Sequence, residues 1–185
     1  MQYRREDEVK MAAPSKWLLL YERRAAFEHA AHLLQHRALR RLPRGDGRAV
    51  LIVPGFGTTD ASTRALRSLL QDLGYKAYGW GQGRNLGMNS KLREALTARL
   101  RELHEHHGPV TLVGWSLGGV FVRELARHQP QWVRRVITLG SPFNGHPDAN
   151  NVMPLYRLAQ RGKPIKSDWE GFQKRRLAPP VSCVA

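Results

Sequence analysis

Apolar residues in this chain gather in short unbroken runs, separated by stretches of helical period. Ala49-Val50-Leu51-Ile52-Val53 is apolar at every position, the pattern of a strand covered on both faces in a parallel sheet. Tyr75 to Trp80, Val110 to Val113 and Val133 to Leu139 read as further strands. Helical stripes lie between them: Leu66, Leu69, Leu70 and Leu73 first, then residues 90–103, then 119–127. Breakers fall where each unit ends, at Pro54-Gly55-Phe56-Gly57, Gly108-Pro109, Gln129-Pro130 and Gly140-Ser141-Pro142. Gly74 is placed to end the first of these helices at its C′ position, and Asp60 or Ser62 to cap its start. The alternation predicts an α/β fold: a doubly wound, mostly parallel sheet joined by right-handed crossovers.

The flanks are less regular. Residues 1–14 begin with a highly charged stretch, Met1 to Lys10, and read as disordered or as a mis-assigned start, with Met11 an alternative. Residues 15–41 read as one helix, with Ser15 as N-cap and a stripe of Leu19, Leu20, Ala26, Phe27, Ala30, Leu33 and Leu34. That helix either packs on the domain or lies on a membrane surface. Residues 143–178 read as a cap or lid-like insertion, within a single domain over 15–185. Pro179-Pro180 precedes Val181 to Ala185, which reads as the first half of another strand. The expectation is a domain without its last strands.

Composition narrows the class. The 185 residues are 42% hydrophobic and 24% charged, ordinary for a globular domain. One cysteine, Cys183, leaves no internal disulfide. No stretch reaches the ~20 apolar residues of a membrane span, and Trp17 to Tyr21 is too short for a signal-peptide core, so a cytoplasmic location is expected. The formal net charge is +15, which raises nucleic acid or an anionic membrane as partners. The basic residues are scattered, however, and no nucleic-acid-binding module accompanies them. Nucleic acid is therefore not an expected partner.

Gly114-Trp115-Ser116-Leu117-Gly118 adds chemistry. It stands between the run at 110–113 and the helical pattern at 119–127, the setting of a nucleophile elbow. A serine hydroxyl attacks only if it stands clear of the sheet, faces a base and has donors for the oxyanion. Glycines two before and two after Ser116 allow so tight a turn, and Gly119 adds clearance. The first amide of the helix, that of Leu117, is one oxyanion donor. Phe56, in the turn after 49–53, is the second. Trp115 is expected to pack beside the elbow. Gly83-Arg84-Asn85-Leu86-Gly87 has no Gly-Lys-Ser/Thr after it and reads as a surface loop, not a phosphate site.

With these motifs in view, the chain resembles the α/β-hydrolase family, in particular bacterial lipase and esterase-like members. The resemblance rests on Val50 to Phe56, Gly74-Tyr75, Val113 to Gly119 and Val136 to Pro142, and covers about residues 48 to 145. It implies a serine hydrolase acting on carboxylic esters, with a small ester or lipid as substrate and no cofactor or metal. It also implies a triad in the chain order Ser, acid, His. No histidine follows His146, so that acid and base are not found where the family carries them. Asp148 and His146, after the run at 133–139, are the internal candidates. The remaining histidines fall on helices. His104-Glu105-His106-His107 reads as a solvated helix end, since neighbours on a helix point apart. The alternative class is a non-catalytic member of the fold that binds an anionic membrane or a partner.

Overall fold

A computed structural model describes Leu39, residues 42–141 and the backbone of Val181–Val184. The expected N-terminal helix, the start region, the cap at 143–178, His146 and Asp148 lie outside the described residues.

Among the described residues five strands form one sheet: β1 (Ala49–Val53), β2 (Lys76–Gly79), β3 (Val110–Trp115), β4 (Val133–Leu139) and β5 (Val181–Val184). Their spatial order is β2-β1-β3-β4-β5, and every neighbouring pair is parallel. The run at 181–184 thus joins the sheet beside β4, pairing Val136 with Val181 and Leu139 with Val184.

Among the described residues three α-helices connect the strands: α1 (Arg64–Asp72), α2 (Ser90–His107) and α3 (Leu117–His128). They cover both faces of the sheet. On one face Leu96, Leu100 and Leu103 of α2, with Val120, Phe121, Val122 and Leu125 of α3, pack against Leu51, Val53, Leu112 and Val136. On the other, Leu66 and Leu70 of α1 meet Val50, Ile52, Ala77 and Val113. This two-sided cover is why β1 is apolar throughout: each of its residues is at most 4% exposed. Each fully buried leucine or valine contributes about 1.5–3 kcal/mol relative to exposure.

Local signals fix the helix ends. Asn89 caps α2, its Oδ1 accepting from Leu92 N at 2.9 Å, and Gly108 ends it at φ +71°. At the end of α1, Gly74 N donates to Gln71 O and Tyr75 N to Leu70 O, the paired bonds of a Schellman motif. Gly74 has φ +97°, as its expected C′ role requires.

The start of α1 differs from expectation. Neither Asp60 nor Ser62 caps it. Thr59 caps a 3-10 turn over Asp60–Thr63, and α1 begins at Arg64. The Asp60 carboxylate instead turns across to the end of β2, accepting from Trp80 N and Gly81 N at 3.0 Å each. A sequence-local cap lost to a tertiary one, because those two amides leave the sheet edge with no ladder partner.

The topology places the site. From β1 the chain goes to one side, to β2; from β3 it goes to the other, to β4. The turns after β1 and β3 therefore diverge at adjacent strand ends, and a crevice opens between them.

Candidate functional site

Ser116 closes β3 and serves as the N-cap of α3, with φ +50° and ψ −121°. It is the one non-glycine residue with positive φ among the described residues. Such a backbone costs about 1–3 kcal/mol and persists only where its surroundings over-determine it. Two hydrogen bonds hold it: Ser116 N donates to Leu139 O at 2.8 Å, and Gly119 N to Ser116 O at 2.9 Å.

The flanking glycines are needed for space. A Cβ on Gly114 would run into the backbone of Gly118 and Gly119, and one on Gly118 into Val53 O and Pro54 O. A Cβ on Gly119 would lie 2.7 Å from Ser141 Cβ. The first turn of α3 therefore sits directly on the turn that follows β1. A Cβ on Gly55 would in turn lie 3.3 Å from Ser116 Cβ. Ser116, Leu117 and the Gly55-Phe56 peptide thus converge at the crevice between β1 and β3. The N-terminus of α3 adds helix-end amides and a positive dipole there, a setting that favours a developing anion.

The β1 turn is tied down by the loop that holds Gly83 to Gly87, which lies at the surface as expected at Gly83, Arg84 and Leu86 but turns Asn85 inward. Asn85 is fully buried. Its Nδ2 donates to Pro54 O at 2.8 Å, its backbone N to Thr58 O at 2.8 Å, and its O accepts from Gly57 N at 2.7 Å. Arg84 Nη1 donates to Gly57 O at 2.8 Å. The burial of Asn85 has a physical cause. Pro54 O is closed off by the close approach of Gly118, and a buried carbonyl needs a donor. An asparagine far along the chain supplies it, a pairing that no local pattern announces.

Trp115 packs as expected against the turn, its Cε3 3.4 Å from a Cβ on Gly55. It is also 41% exposed, so the indole presents apolar surface to the mouth of the site.

The described histidines stand elsewhere. His104, His106 and His107 end α2, and His128 ends α3. In a parallel βα unit those ends lie at the opposite edge of the sheet from Ser116. The end of α2 is less solvated than expected. His107 Nε2 lies 2.8 Å from Tyr78 Oη, with the two rings stacked, and His104 stacks on Trp132. Burial of the His107 ring, then the charges of Lys76 and His106, push its pKa below the ordinary 6.5. No cluster of His, Cys, Asp or Glu among the described residues is arranged to hold a metal.

Comparison with known proteins agrees with this architecture. A family model described as alpha/beta hydrolase fold matches residues 48–183. A lysosomal phospholipase A and acyltransferase of Bos taurus is 27% identical over an alignment covering 63% of this chain and 38% of that protein. The chain thus spans well under half the length of that relative. Among solved structures, a metagenome-derived lipolytic enzyme is 22% identical, with TM-score 0.48, covering 57% of this chain and 47% of that one. A probable hydrolytic enzyme from Pseudomonas aeruginosa PAO1 is 20% identical, with TM-score 0.42, covering 54% and 34%. With its parallel sheet, its strand-to-helix turn at Ser116 and a family match over most of its length, the chain belongs to the alpha/beta hydrolase fold family.

Proposed function

We propose that the protein is a serine hydrolase that cleaves carboxylic esters through an acyl-enzyme on Ser116. The observation that carries this reading is the strained backbone of Ser116, held at the crevice between β1 and β3. Strain of this kind is disfavoured unless it serves something, and here it presents a hydroxyl beside two sources of backbone amides. Ser116 Oγ attacks the ester carbonyl, and the oxyanion receives hydrogen bonds from the amides of Phe56 and Leu117. The tetrahedral intermediate expels the alcohol, and water then releases the acid. Each oxyanion donor is worth about 3 kcal/mol in transition-state stabilisation.

The base that takes the Ser116 proton comes from outside the described residues, since the described histidines end helices at the far edge of the sheet. His146, with Asp148 as its acid, is the candidate within this chain. The bovine relative's name couples a phospholipase A to an acyltransferase. One acyl-enzyme supports both outcomes, according to whether water or an alcohol receives the acyl group. This favours lipid or other apolar acyl esters as substrates, and the exposed Trp115 indole offers them surface.

Stopped-flow turnover of a p-nitrophenyl ester by the full-length protein tests the reading. A burst of one nitrophenol per site is expected, absent from Ser116→Ala. Undiminished turnover by Ser116→Ala would refute it, as would a full-length protein inert to all esters that binds anionic vesicles instead.

A further inference from the structure

We infer that Thr58 and Asn85 are positioning residues that set the direction of the Phe56 amide. The inference rests on the ester-hydrolase reading of Ser116 and deepens it.

No peptide bond among the described residues is cis, so in each planar unit of this turn the carbonyl and the following N–H point opposite ways. Fixing one therefore aims the other. The Pro54-Gly55 unit is held by Asn85 Nδ2, which donates to Pro54 O at 2.8 Å. The Gly55-Phe56 unit, which carries the Phe56 amide, is held by Thr58. Its Oγ1 donates to Gly55 O at 2.8 Å, and its backbone N approaches the same oxygen at 3.3 Å. The Phe56-Gly57 unit is held by Asn85 O, which accepts from Gly57 N at 2.7 Å. Three consecutive peptide planes are thus pinned by two residues.

Both residues are themselves fixed. Asn85 Oδ1 accepts from Gly87 N at 3.1 Å, which leaves the amide nitrogen as the end facing Pro54. Asn85 N donates to Thr58 O at 2.8 Å, which joins the two into one network. The turn contains Gly55, Gly57 and their flexible backbone. Oxyanion stabilisation depends on donors already aimed when charge develops, with no reorganisation at that moment. A glycine-rich turn meets that condition only when held from outside, and the β2-to-α2 loop is what holds it. Neither side chain touches substrate in this account; both act through the Phe56 amide.

The test uses the full-length protein, a chromogenic ester, a trifluoromethyl ketone that mimics the tetrahedral intermediate, and fluorophosphonate titration to count reactive sites. Thr58 is half-buried, and Thr58→Val keeps its shape while removing the hydroxyl. Its kcat per titrated site is expected to fall about tenfold, the worth of one hydrogen bond. KM should stay within about twofold, ketone affinity should fall in step with kcat/KM, and Thr58→Ser should restore both. Asn85→Ala should show the same signature with a larger loss. If it fails to fold, the Thr58 pair decides alone. A merely structural role would lower the melting temperature and the number of titrated sites but leave kcat per site unchanged. That result, or Thr58→Ser failing to restore activity, overturns the inference. A parent protein whose Ser116 takes up no probe sinks the ester-hydrolase reading itself, and so separates the two failures.

Discussion

At the scale of single residues, the elbow couples steric need to chemistry. Ser116 holds a backbone that glycine adopts freely, so Ser116→Gly should be more stable than Ser116→Ala by about 1 kcal/mol while both lose ester turnover. Paired denaturation curves check this; equal stabilities would mean that the turn stores no strain. Gly114→Ala drives a methyl into the backbone of Gly118 and Gly119 and should cost about 1–3 kcal/mol as overpacking. His107 tests the opposite edge of the sheet. Because its folded pKa lies below 6.5, the fold favours the neutral ring. Its contribution is therefore complete above pH 6.5 and is lost as pH falls through the lower folded value. The melting temperature should drop between pH 7 and pH 5, and His107→Gln should remove part of that drop. An unchanged pH profile would contradict the assignment.

At the scale of elements, α2 is held by one stripe. Leu96, Leu100 and Leu103 are each at most 3% exposed, and their spacing puts them on one helical face. Leu100→Ala should cost about 2–5 kcal/mol, measured by denaturant unfolding. What could be read in advance follows from how local each signal is. β1 was legible because burial on both faces leaves an unbroken apolar run, and the end of α1 because Gly74 is part of the helix's own last turn. Asp60 and Asn85 were not. Asp60, in the segment after β1, bonds Trp80 and Gly81 just past β2, and Asn85, in the segment after β2, bonds Pro54 just past β1. Both are short polar residues in loops, where the same letters also mark ordinary turns. Burial decides between these readings, and burial is a tertiary property.

At the scale of the molecule, the sheet order separates the chain's chemistry by edge. Ser116 and the β1 turn occupy the ends of β3 and β1, while His104, His106, His107 and His128 sit where α2 and α3 finish. The backbone setting of Ser116 was legible for this reason. The Gly114 to Gly118 motif and the turn after β1 lie on adjacent strands, whereas the acid and base that the proposed reading needs would join them only through the path of the whole chain. Alanine at His106 or His128 should leave kcat within about twofold, and a large loss at either would refute the edge assignment. The central claim is that Ser116 is a reactive nucleophile. Its most direct test is fluorophosphonate labelling of the full-length protein, with the modified peptide mapped by mass spectrometry. The account predicts stoichiometric modification of Ser116, abolished in Ser116→Ala. A protein that hydrolyses esters while Ser116 remains unlabelled, or that carries the label elsewhere, would contradict it.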